Sequence, residues 1–261
     1  MKHRPRKRFG QNFLRDRGIV DRIIQAINPA ADDHLVEIGP GHGAITGQLL
    51  ELAGRLDAIE LDRDLVALLQ QRFAGKQNFT LHSADALKFD FCSLQMDRPL
   101  RLVGNLPYNI STPIMFHLLE QAACIRDMYF MLQKEVVDRM AAAPGNKTYG
   151  RLSVMLQLKC RVNPLFNIGP GAFNPPPKVE SAFVQLQPWK PSPYQIQDPL
   201  LLGQLVTQAF SQRRKTLRNT LKKLVDPAVF GQLDIDPGSR AEQLTPADFV
   251  RLANASGTDR Q

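Results

Sequence analysis

Short apolar runs alternate with longer amphipathic stretches between residues 31 and 134. The runs contain few polar residues, which is typical of strands covered on both faces of a parallel sheet. The predicted strands are residues 34–38, 56–60, 79–84, 100–104 and 128–132. The predicted helices are residues 45–52, 64–73 and 113–121, the last with Thr112 as its N-cap and Pro113 at its first position. This order predicts a doubly wound α/β sheet with right-handed crossovers.

The pattern changes after residue 174. Residues 181–186 form another apolar run, but no helix immediately precedes it, so we expect this strand to run antiparallel. A proline-rich stretch at 188–193 predicts a boundary between a domain at 1–187 and a smaller helical domain at 188–261. In the second domain, Phe210, Leu217, Leu221 and Leu224 fall on one stripe of a predicted helix.

The chain carries 33 Lys and Arg against 25 Asp and Glu, a net charge of +8, and the excess is concentrated at two places. The first cluster is Lys2, Arg4, Arg6, Lys7 and Arg8. The second cluster is Arg213, Arg214, Lys215, Arg218, Lys222 and Lys223, in a stretch without acidic residues between positions 198 and 226. Such clusters predict a polyanionic partner, although a solvated helix face is an alternative for the second.

Cys92, Cys124 and Cys160 are an odd number of cysteines without a C-x-x-C pair, so the sequence suggests neither a disulfide framework nor a zinc site. The histidines have no metal-ligand spacing either, and no metal is expected. This cysteine usage is typical of a reducing cytoplasm. Because no apolar run approaches roughly 18 residues, we expect no membrane span, and the charged start predicts no secretory leader.

A glycine-rich turn follows the first predicted strand, with Gly39, Gly41 and Gly43 between Glu37 and Ala44. In open α/β sheets such a turn lies at the strand carboxyl ends, where ligands bind. The string also fits the G-x-G-x-x-A pattern of nicotinamide cofactors, and a purely structural turn would use the same glycines. The turn alone therefore leaves the ligand open.

Acidic residues at three successive strand ends favour one of these ligands. Glu37 lies two residues before Gly39, where a carboxylate suits an ammonium group and would repel a pyrophosphate. Glu60 ends the second strand and can accept from ribose hydroxyls, while Asp85 follows the third and is placed to accept from an adenine amino group. Three acids suit a cationic nucleoside without phosphates, so the sequence favours S-adenosylmethionine over a dinucleotide.

Asn105, Leu106, Pro107 and Tyr108 follow the fourth predicted strand. They resemble the N/D-P-P-Y/F-type signature of methyltransferases that act on exocyclic amines of nucleic-acid bases. The Asn105 side-chain oxygen and the Leu106 carbonyl would accept the two N–H groups of an adenine amine. Pro107 would fix the direction of that carbonyl, and Tyr108 would stack on an extruded base. These four residues are the predicted catalytic group, with a simple turn as the alternative.

Five segments in order resemble the KsgA-type ribosomal RNA adenine dimethyltransferases: residues 8–14, 37–43, 105–108, 173–181 and 213–221. The resemblance extends from about residue 6 to residue 245. It implies a Rossmann-like class I S-adenosylmethionine-dependent methyltransferase sheet with a small, helical, RNA-binding C-terminal domain. The implied activity is transfer of methyl groups to N6 of two adjacent adenosines near the 3′ end of 16S ribosomal RNA, with a role in subunit biogenesis.

The resemblance also implies roles for individual residues. Asn12 and Leu14 belong to a segment that folds over the cofactor, and Phe173 would supply a stacking face opposite Tyr108. The full set of predicted cofactor-binding residues is Asn12, Leu14, Gly39, Gly41, Glu60, Asp85 and Asn105. Arg213 and Arg214 would meet RNA phosphates. The expected partner is a partly assembled small ribosomal subunit, and the absence of an oligomerisation signal favours a monomer.

Two other functions stay open at this point. A related adenine methyltransferase acts on large-subunit RNA and gives antibiotic resistance, but the C-terminal domain resembles that branch less. A ribosome-assembly or transcription factor without catalytic turnover would keep the RNA contacts. Such a factor would have no need of an intact tetrapeptide together with Glu60 and Asp85.

Overall fold

A computed structural model describes residues 12–257 of the 261-residue chain, and the predicted basic cluster at residues 2–8 and the first residue of the Gln11–Leu14 segment lie outside the described residues. The chain divides into two compact units: unit 1 is Met1–Val137 with Asn163–Pro188, and unit 2 is Asp138–Val162 with Trp189–Gln261. The predicted boundary at 187/188 differs from this division, because residues 138–162 cluster with the C-terminal helices. Their apolar side chains, including Tyr149, Val154 and Leu158, are buried in the core of unit 2.

The strands are, in chain order, β1 (Phe13–Leu14), β2 (His34–Ile38), β3 (Arg55–Glu60), β4 (Phe79–Ser83), β5 (Leu100–Asn105), β6 (Ile125–Gln133), β7 (Cys160–Ile168), β8 (Phe173–Asn174) and β9 (Ser181–Pro188). Within residues 12–257, seven of them form one sheet in the order β4-β3-β2-β5-β6-β9-β7. β2 to β6 pair in parallel and β9 pairs antiparallel with β6. The α/β prediction and the antiparallel strand at 181–186 are therefore confirmed.

The helices are, in chain order, α1 (Arg17–Ile27), α2 (Thr46–Leu52), α3 (Arg63–Arg72), α4 (Ser111–Glu120), α5 (Lys134–Ala141), α6 (Arg151–Gln157), α7 (Pro199–Ala209), α8 (Leu217–Leu221), α9 (Pro227–Gln232) and α10 (Pro246–Gly257). The predicted N-cap at Thr112 is wrong, since α4 starts at Ser111 after Ile110, which caps without a side-chain hydrogen bond. Instead, the Ser111 hydroxyl donates to the Pro107 carbonyl at 3.2 Å, so the helix begins directly from the tetrapeptide turn. Among the helices of residues 12–257, none has the length and hydropathy of a membrane span.

The central strands are buried because helices and loops cover both faces of the sheet. Every residue of β2 is buried, including Glu37, and β5 is buried except at its last residue. Gly104 permits the closest approach of these two strands, because a Cβ there would lie 2.5 Å from the Ile38 carbonyl oxygen. The carboxyl ends of β2 and β5 therefore lie side by side, each with its functional loop directly behind it.

The predicted single helix through Phe210 and Leu224 is wrong. α7 ends at Ala209 and α8 begins at Leu217, so Arg213, Arg214 and Lys215 lie in the intervening turn. The loop between α9 and α10 stabilises the start of α8. The Leu217 N–H donates to the Ser239 carbonyl at 2.9 Å, and the Arg218 N–H donates to the Pro237 carbonyl at 3.0 Å. Leu217 and Leu221 are nevertheless fully buried, as the apolar stripe predicts.

The structure also corrects the expectation that the chain has no disulfide. Cys92 and Cys124 are bonded across a sequence separation of 32, with Cα atoms 5.4 Å apart, and Cys160 is a buried thiol whose pKa burial raises to about 12. Each bonded cysteine lies in a short 3-10 turn, and the Gln121 side chain connects the two turns by accepting from the Phe91 N–H at 2.7 Å. Counting cysteines failed because only the fold brings these two turns together.

Candidate active site

A cavity of about 260 Å³ lies in unit 1 at the carboxyl ends of the parallel strands. The register places these ends together, because Ile38 pairs with Ile59 and Gly104, and Glu60 pairs with Ser83. Most of the predicted site residues line this one cavity: Asn12, Leu14, Gly39, Gly41, Glu60, Asp85, Asn105, Leu106, Pro107 and Tyr108. The loops behind four different strands therefore converge on a shared space, as open α/β sheets allow.

The glycine turn forms one wall of the cavity by bending sharply under an aromatic ring. Gly39 and Gly41 have φ values of +67° and +59°, which L side chains rarely adopt. A Cβ at Gly41 would lie 3.0 Å from Cδ1 of Phe13, and the Phe13 ring centroid lies 4.2 Å from that of His42. Glycine at this position lets the N-terminal segment close over the turn.

Glu37 is a carboxyl group almost completely removed from water on the cavity wall. It is 2% exposed, and its Oε2 accepts a hydrogen bond from the Thr46 hydroxyl at 2.7 Å. Burial raises the pKa of Glu37 to about 7, with a further upward contribution from the negative charge of Glu60. A positively charged ligand in the cavity would favour the ionised form of this side chain.

Glu60 and Asp85 lie at the neighbouring strand ends and already accept backbone hydrogen bonds. Glu60 accepts from the Gly41 and Asp62 N–H groups at 3.3 and 2.9 Å, and burial raises its pKa. Asp85 Oδ1 accepts from the Leu87 N–H at 3.0 Å, which fixes the carboxyl group at the cavity edge. These bonds hold both side chains in place and leave further carboxylate lone pairs for a ligand.

The charge of the cavity wall distinguishes between S-adenosylmethionine and a dinucleotide, the two ligands that are compatible with the glycine turn. Four carboxyl groups line the cavity, from Glu37, Glu60, Asp62 and Asp85, and none of the described lining residues is Lys or Arg. A pyrophosphate would meet like charges from these four residues, whereas a sulfonium and an ammonium group would meet opposite charges. The residues present fit S-adenosylmethionine and do not fit a dinucleotide.

Hydrogen bonds at three of its residues hold the tetrapeptide and orient its polar groups. Asn105 Nδ2 donates to the Asn12 carbonyl at 2.8 Å, which turns Oδ1 away from Asn12 as an acceptor. The Leu106 N–H donates to the Met131 carbonyl at 3.2 Å, which holds the backbone between Asn105 and Leu106. Tyr108 is half-buried, and its hydroxyl lies 2.8 Å from the Ser181 hydroxyl, with burial raising the tyrosine pKa.

Three predicted substrate-binding residues, Phe173, Arg213 and Arg214, are not among the described residues that line the cavity. Phe173 is 5% exposed in the core of unit 1, pairs with Leu14 between β8 and β1, and is absent from the described cavity wall. The predicted stacking face opposite Tyr108 is therefore not formed by Phe173. Arg213 uses Nη2 to donate to the Lys147 and Tyr149 carbonyls at 2.7 and 3.1 Å, and Arg214 is exposed in the same turn.

Sequence reasoning missed the contributions of β6 and β9 to the site. Met131 and Phe183 line the cavity, and Ser181 contacts Tyr108. The apolar run at 181–186 predicted a strand, but nothing in a single sequence indicates that this strand lies beside β6 and behind the tetrapeptide. The antiparallel pairing of Met131 with Phe183 is what places them there.

Unit 2 has a separate basic groove on its surface. Its cationic lining residues are Arg151, Lys215, Lys222 and Lys223, and polar side chains such as Gln208 and Asn219 lie between them. None of the described residues that line it is acidic. Three of the four cations belong to the basic cluster that the sequence singles out, although Arg213 and Arg214 are not among them.

Comparisons with known proteins agree over nearly the whole chain. The family model described as ribosomal RNA adenine dimethylase matches residues 2–256. A Pseudomonas putida protein, ribosomal RNA small subunit methyltransferase A, is 59% identical over 260 residues, which cover 99% of this chain and 97% of that protein. A Hahella chejuensis protein of the same name is 56% identical over 253 residues, covering 97% and 93%.

Solved structures give the same result for the fold. A dimethyladenosine transferase from Plasmodium falciparum superposes with a TM-score of 0.81 at 29% identity and covers 94% of this chain and 98% of its own. The 23S ribosomal RNA methyltransferase ErmE superposes with a TM-score of 0.75 at 24% identity, covering 94% and 100%, a similarity that concerns the fold alone.

Proposed function

This chain belongs to the ribosomal RNA adenine dimethylase family, and from that premise we propose that it transfers methyl groups from S-adenosylmethionine to N6 of two adjacent adenosines near the 3′ end of 16S ribosomal RNA. The observation that carries the proposal is a cavity lined by four carboxyl groups and, among the described residues, by no Lys or Arg, with an Asn-Leu-Pro-Tyr turn in its wall. The acids suit a cationic nucleoside, and the turn presents acceptors for an amine.

The cofactor would be held by the residues at the strand ends. Glu60 would accept from ribose hydroxyls, Asp85 from the adenine amino group, and Glu37 would stabilise the ammonium group across the glycine turn. Asn12 and Leu14, which line the same cavity, would close the site from the N-terminal segment. When bound, S-adenosylmethionine supplies an electrophilic methyl group on a sulfonium.

The tetrapeptide would make the target amine nucleophilic and aim it. The N6 lone pair of adenine is delocalised into the ring, so acceptors that hold both N–H groups favour a pyramidal nitrogen. Asn105 Oδ1 and the Leu106 carbonyl would provide such acceptors. The contact of Nδ2 with Asn12 sets the direction of Oδ1, and the Leu106 N–H bond to Met131 holds the backbone at Leu106. Tyr108 would stack on the extruded base. No strong general base is needed, because the proton leaves only after the nitrogen becomes cationic, and orientation provides most of the acceleration.

The choice of small-subunit RNA rests on the relatives. Proteins named for the small subunit are 56–59% identical over nearly the full length, whereas the large-subunit enzyme ErmE is 24% identical. We propose that the natural substrate is a partly assembled small ribosomal subunit, that the protein acts as a cytoplasmic monomer, and that the modification belongs to subunit biogenesis. An RNA-binding factor without turnover is disfavoured by the intact tetrapeptide and acids.

The basic groove of unit 2 would bind the RNA backbone. Arg151, Lys215, Lys222 and Lys223 surround it without a neighbouring acid among the described lining residues, so a phosphodiester chain would release counterions there. Phosphate contacts position RNA without reading its sequence, which leaves base recognition to the cavity of unit 1.

Mass spectrometry of the RNA in partly assembled small ribosomal subunits, after incubation with purified protein and methyl-labelled S-adenosylmethionine, tests the activity. We expect N6,N6-dimethyladenosine at two adjacent positions. Asn105→Ala should lower methyl transfer at least a hundredfold because one acceptor is lost, while RNA affinity is retained. The exposed Asn167→Ala serves as the matched control. RNA that remains unmethylated with the wild-type protein would refute the proposed activity, and an Asn105→Ala variant with normal turnover would refute the role of the turn.

A further inference from the structure

The Tyr108 hydroxyl forms a hydrogen bond with Ser181, a residue of β9 that comes 73 positions later in the chain. Tyr108 Oη lies 2.8 Å from Ser181 Oγ, which is hydrogen-bond distance. Ser181 is fully buried, while Tyr108 is half-buried on the cavity wall. The contact thus connects a residue that faces the cavity to one that water does not reach.

Ser181 is a rigid anchor because the sheet fixes its backbone. It is the first residue of β9 and pairs with Gln133, the last residue of β6. The preceding residue is fixed as well, since the Lys134 N–H donates to the Glu180 carbonyl at 2.9 Å. A serine side chain has a single rotatable bond before its oxygen, so the hydroxyl is presented at a defined point.

Tyr108 needs such an anchor because it lies in a turn between β5 and α4. The turn is bonded at Pro107, whose carbonyl accepts from the Ile110 N–H and the Ser111 hydroxyl. Those bonds fix the backbone but leave the tyrosine ring two rotatable bonds of its own. Burial raises the pKa of Tyr108, so the phenol stays protonated at neutral pH and retains its proton for this contact.

We propose that Ser181 is a positioning residue for the methyl transfer, which fixes the Tyr108 ring so that one face is presented to the extruded adenine. This inference rests on the proposed function. Ser181 does not touch the base in this account; it acts through the tyrosine hydroxyl. A ring held at both ends costs less conformational entropy when the base stacks on it, and the amine then lies in the productive orientation for a larger fraction of the time.

A double-mutant cycle tests the proposal with Ser181→Ala, Tyr108→Phe and the double variant. Each single variant removes the same hydrogen bond and should lower kcat about fivefold, equivalent to about 1 kcal/mol. The double variant should be no slower than either single one. The KM for RNA should change little, because RNA affinity comes mainly from phosphate contacts. Ser181→Thr, which keeps the hydroxyl, should restore turnover, and the exposed Thr80→Ala is the control.

Tyr108→Phe keeps the ring and the strand, so it carries the test even if Ser181→Ala unfolds. Independent, additive losses in the double variant, or a Tyr108→Phe variant with wild-type kcat, would overturn the proposal.

A second readout does not need turnover: RNA with 2-aminopurine at the target position should show the same altered fluorescence in both single variants. If wild-type protein transfers no methyl group but this fluorescence pattern holds, the proposed function fails while the anchoring of Tyr108 stands. Unaltered fluorescence in both variants would refute the anchoring itself.

Discussion

At the scale of single residues, the site depends on carboxyl groups that the fold keeps from water. Glu37 is buried and accepts a hydrogen bond from Thr46. Burial, together with electrostatic repulsion from Glu60, raises the pKa of Glu37 to about 7. Because the pKa of Glu37 is higher in the folded than in the unfolded chain, the protonated side chain favours the folded state. This contribution to the free energy of unfolding is fully present below the unfolded-state pKa of about 4.5 and is lost as the pH rises towards 7. The apo protein therefore holds Glu37 partly protonated near neutral pH.

This protonation makes binding of a cationic cofactor dependent on pH. Because the cofactor favours ionised Glu37, binding should release a proton, and affinity for S-adenosylmethionine should rise up to tenfold per pH unit between about 5.5 and 7. Titration calorimetry in buffers of different ionisation enthalpy measures both effects. Glu37→Gln should remove most of the pH dependence, leaving the smaller part that comes from Glu60, whereas the exposed Glu51→Gln should keep all of it. A pH-independent affinity in the wild-type protein would contradict the account.

Residue types and spacing allowed the chemistry of the site to be predicted better than its contacts. Glu60 and Asp85 follow strands whose apolar runs are plain in the sequence, so their presence at the cavity could be expected. Phe173 was misplaced because a phenylalanine before a proline run serves a core as well as a binding surface. The role of Ser181 could not be foreseen, since it depends on which strand lies next to β6.

At the scale of elements, the break between α7 and α8 gives the basic residues two different roles: some hold the turn in place, and others line the groove. Arg213 donates to the Lys147 and Tyr149 carbonyls, so it ties the turn to the segment before α6. Lys222 and Lys223 are exposed and line the groove. A sequence that places all these cations close together does not reveal this difference, because it arises from the helix break at residues 210–216.

The two kinds of residue should respond differently to substitution. Lys222→Ala combined with Lys223→Ala should weaken RNA binding and reduce the slope of log affinity against log salt by about 2, with unfolding unchanged. Arg213→Ala should instead lower the melting temperature by a few degrees, because exposed hydrogen bonds from a charged group contribute about 1 kcal/mol. Salt-dependent binding and calorimetry measure the two effects, and the exposed Lys88→Ala is the control. If the Lys222/Lys223 double substitution and Arg213→Ala had equal effects on RNA binding and on the melting temperature, the two roles would not be distinct.

At the scale of the whole molecule, one covalent bond joins distant parts of the chain. The Cys92–Cys124 disulfide links the loop between β4 and β5, which also carries Asp85, to the junction between α4 and β6. Closing a loop of 32 residues restricts the unfolded chain and stabilises the fold by about 3–4 kcal/mol in the chain-entropy model. The parallel direction of the strands could be predicted from the sequence, but this covalent link could not.

Reduction should therefore lower the stability of the wild-type protein. Dithiothreitol should reduce the melting temperature by several degrees, and mass spectrometry after alkylation should count two additional thiols. Cys92→Ser should already melt at the lower temperature and should not respond to the reductant. An identical melting curve with and without dithiothreitol, once the thiol count confirms reduction, would show that the bond adds nothing to stability.

The hydrogen bond from Asn105 Nδ2 to the Asn12 carbonyl spans 93 positions of sequence and makes the direction of the Asn105 amide depend on a main-chain oxygen. The identity of the side chain at position 12 therefore does not decide this contact. A change that displaces the backbone at Asn12 would turn the Asn105 amide, although the two residues are far apart in the sequence.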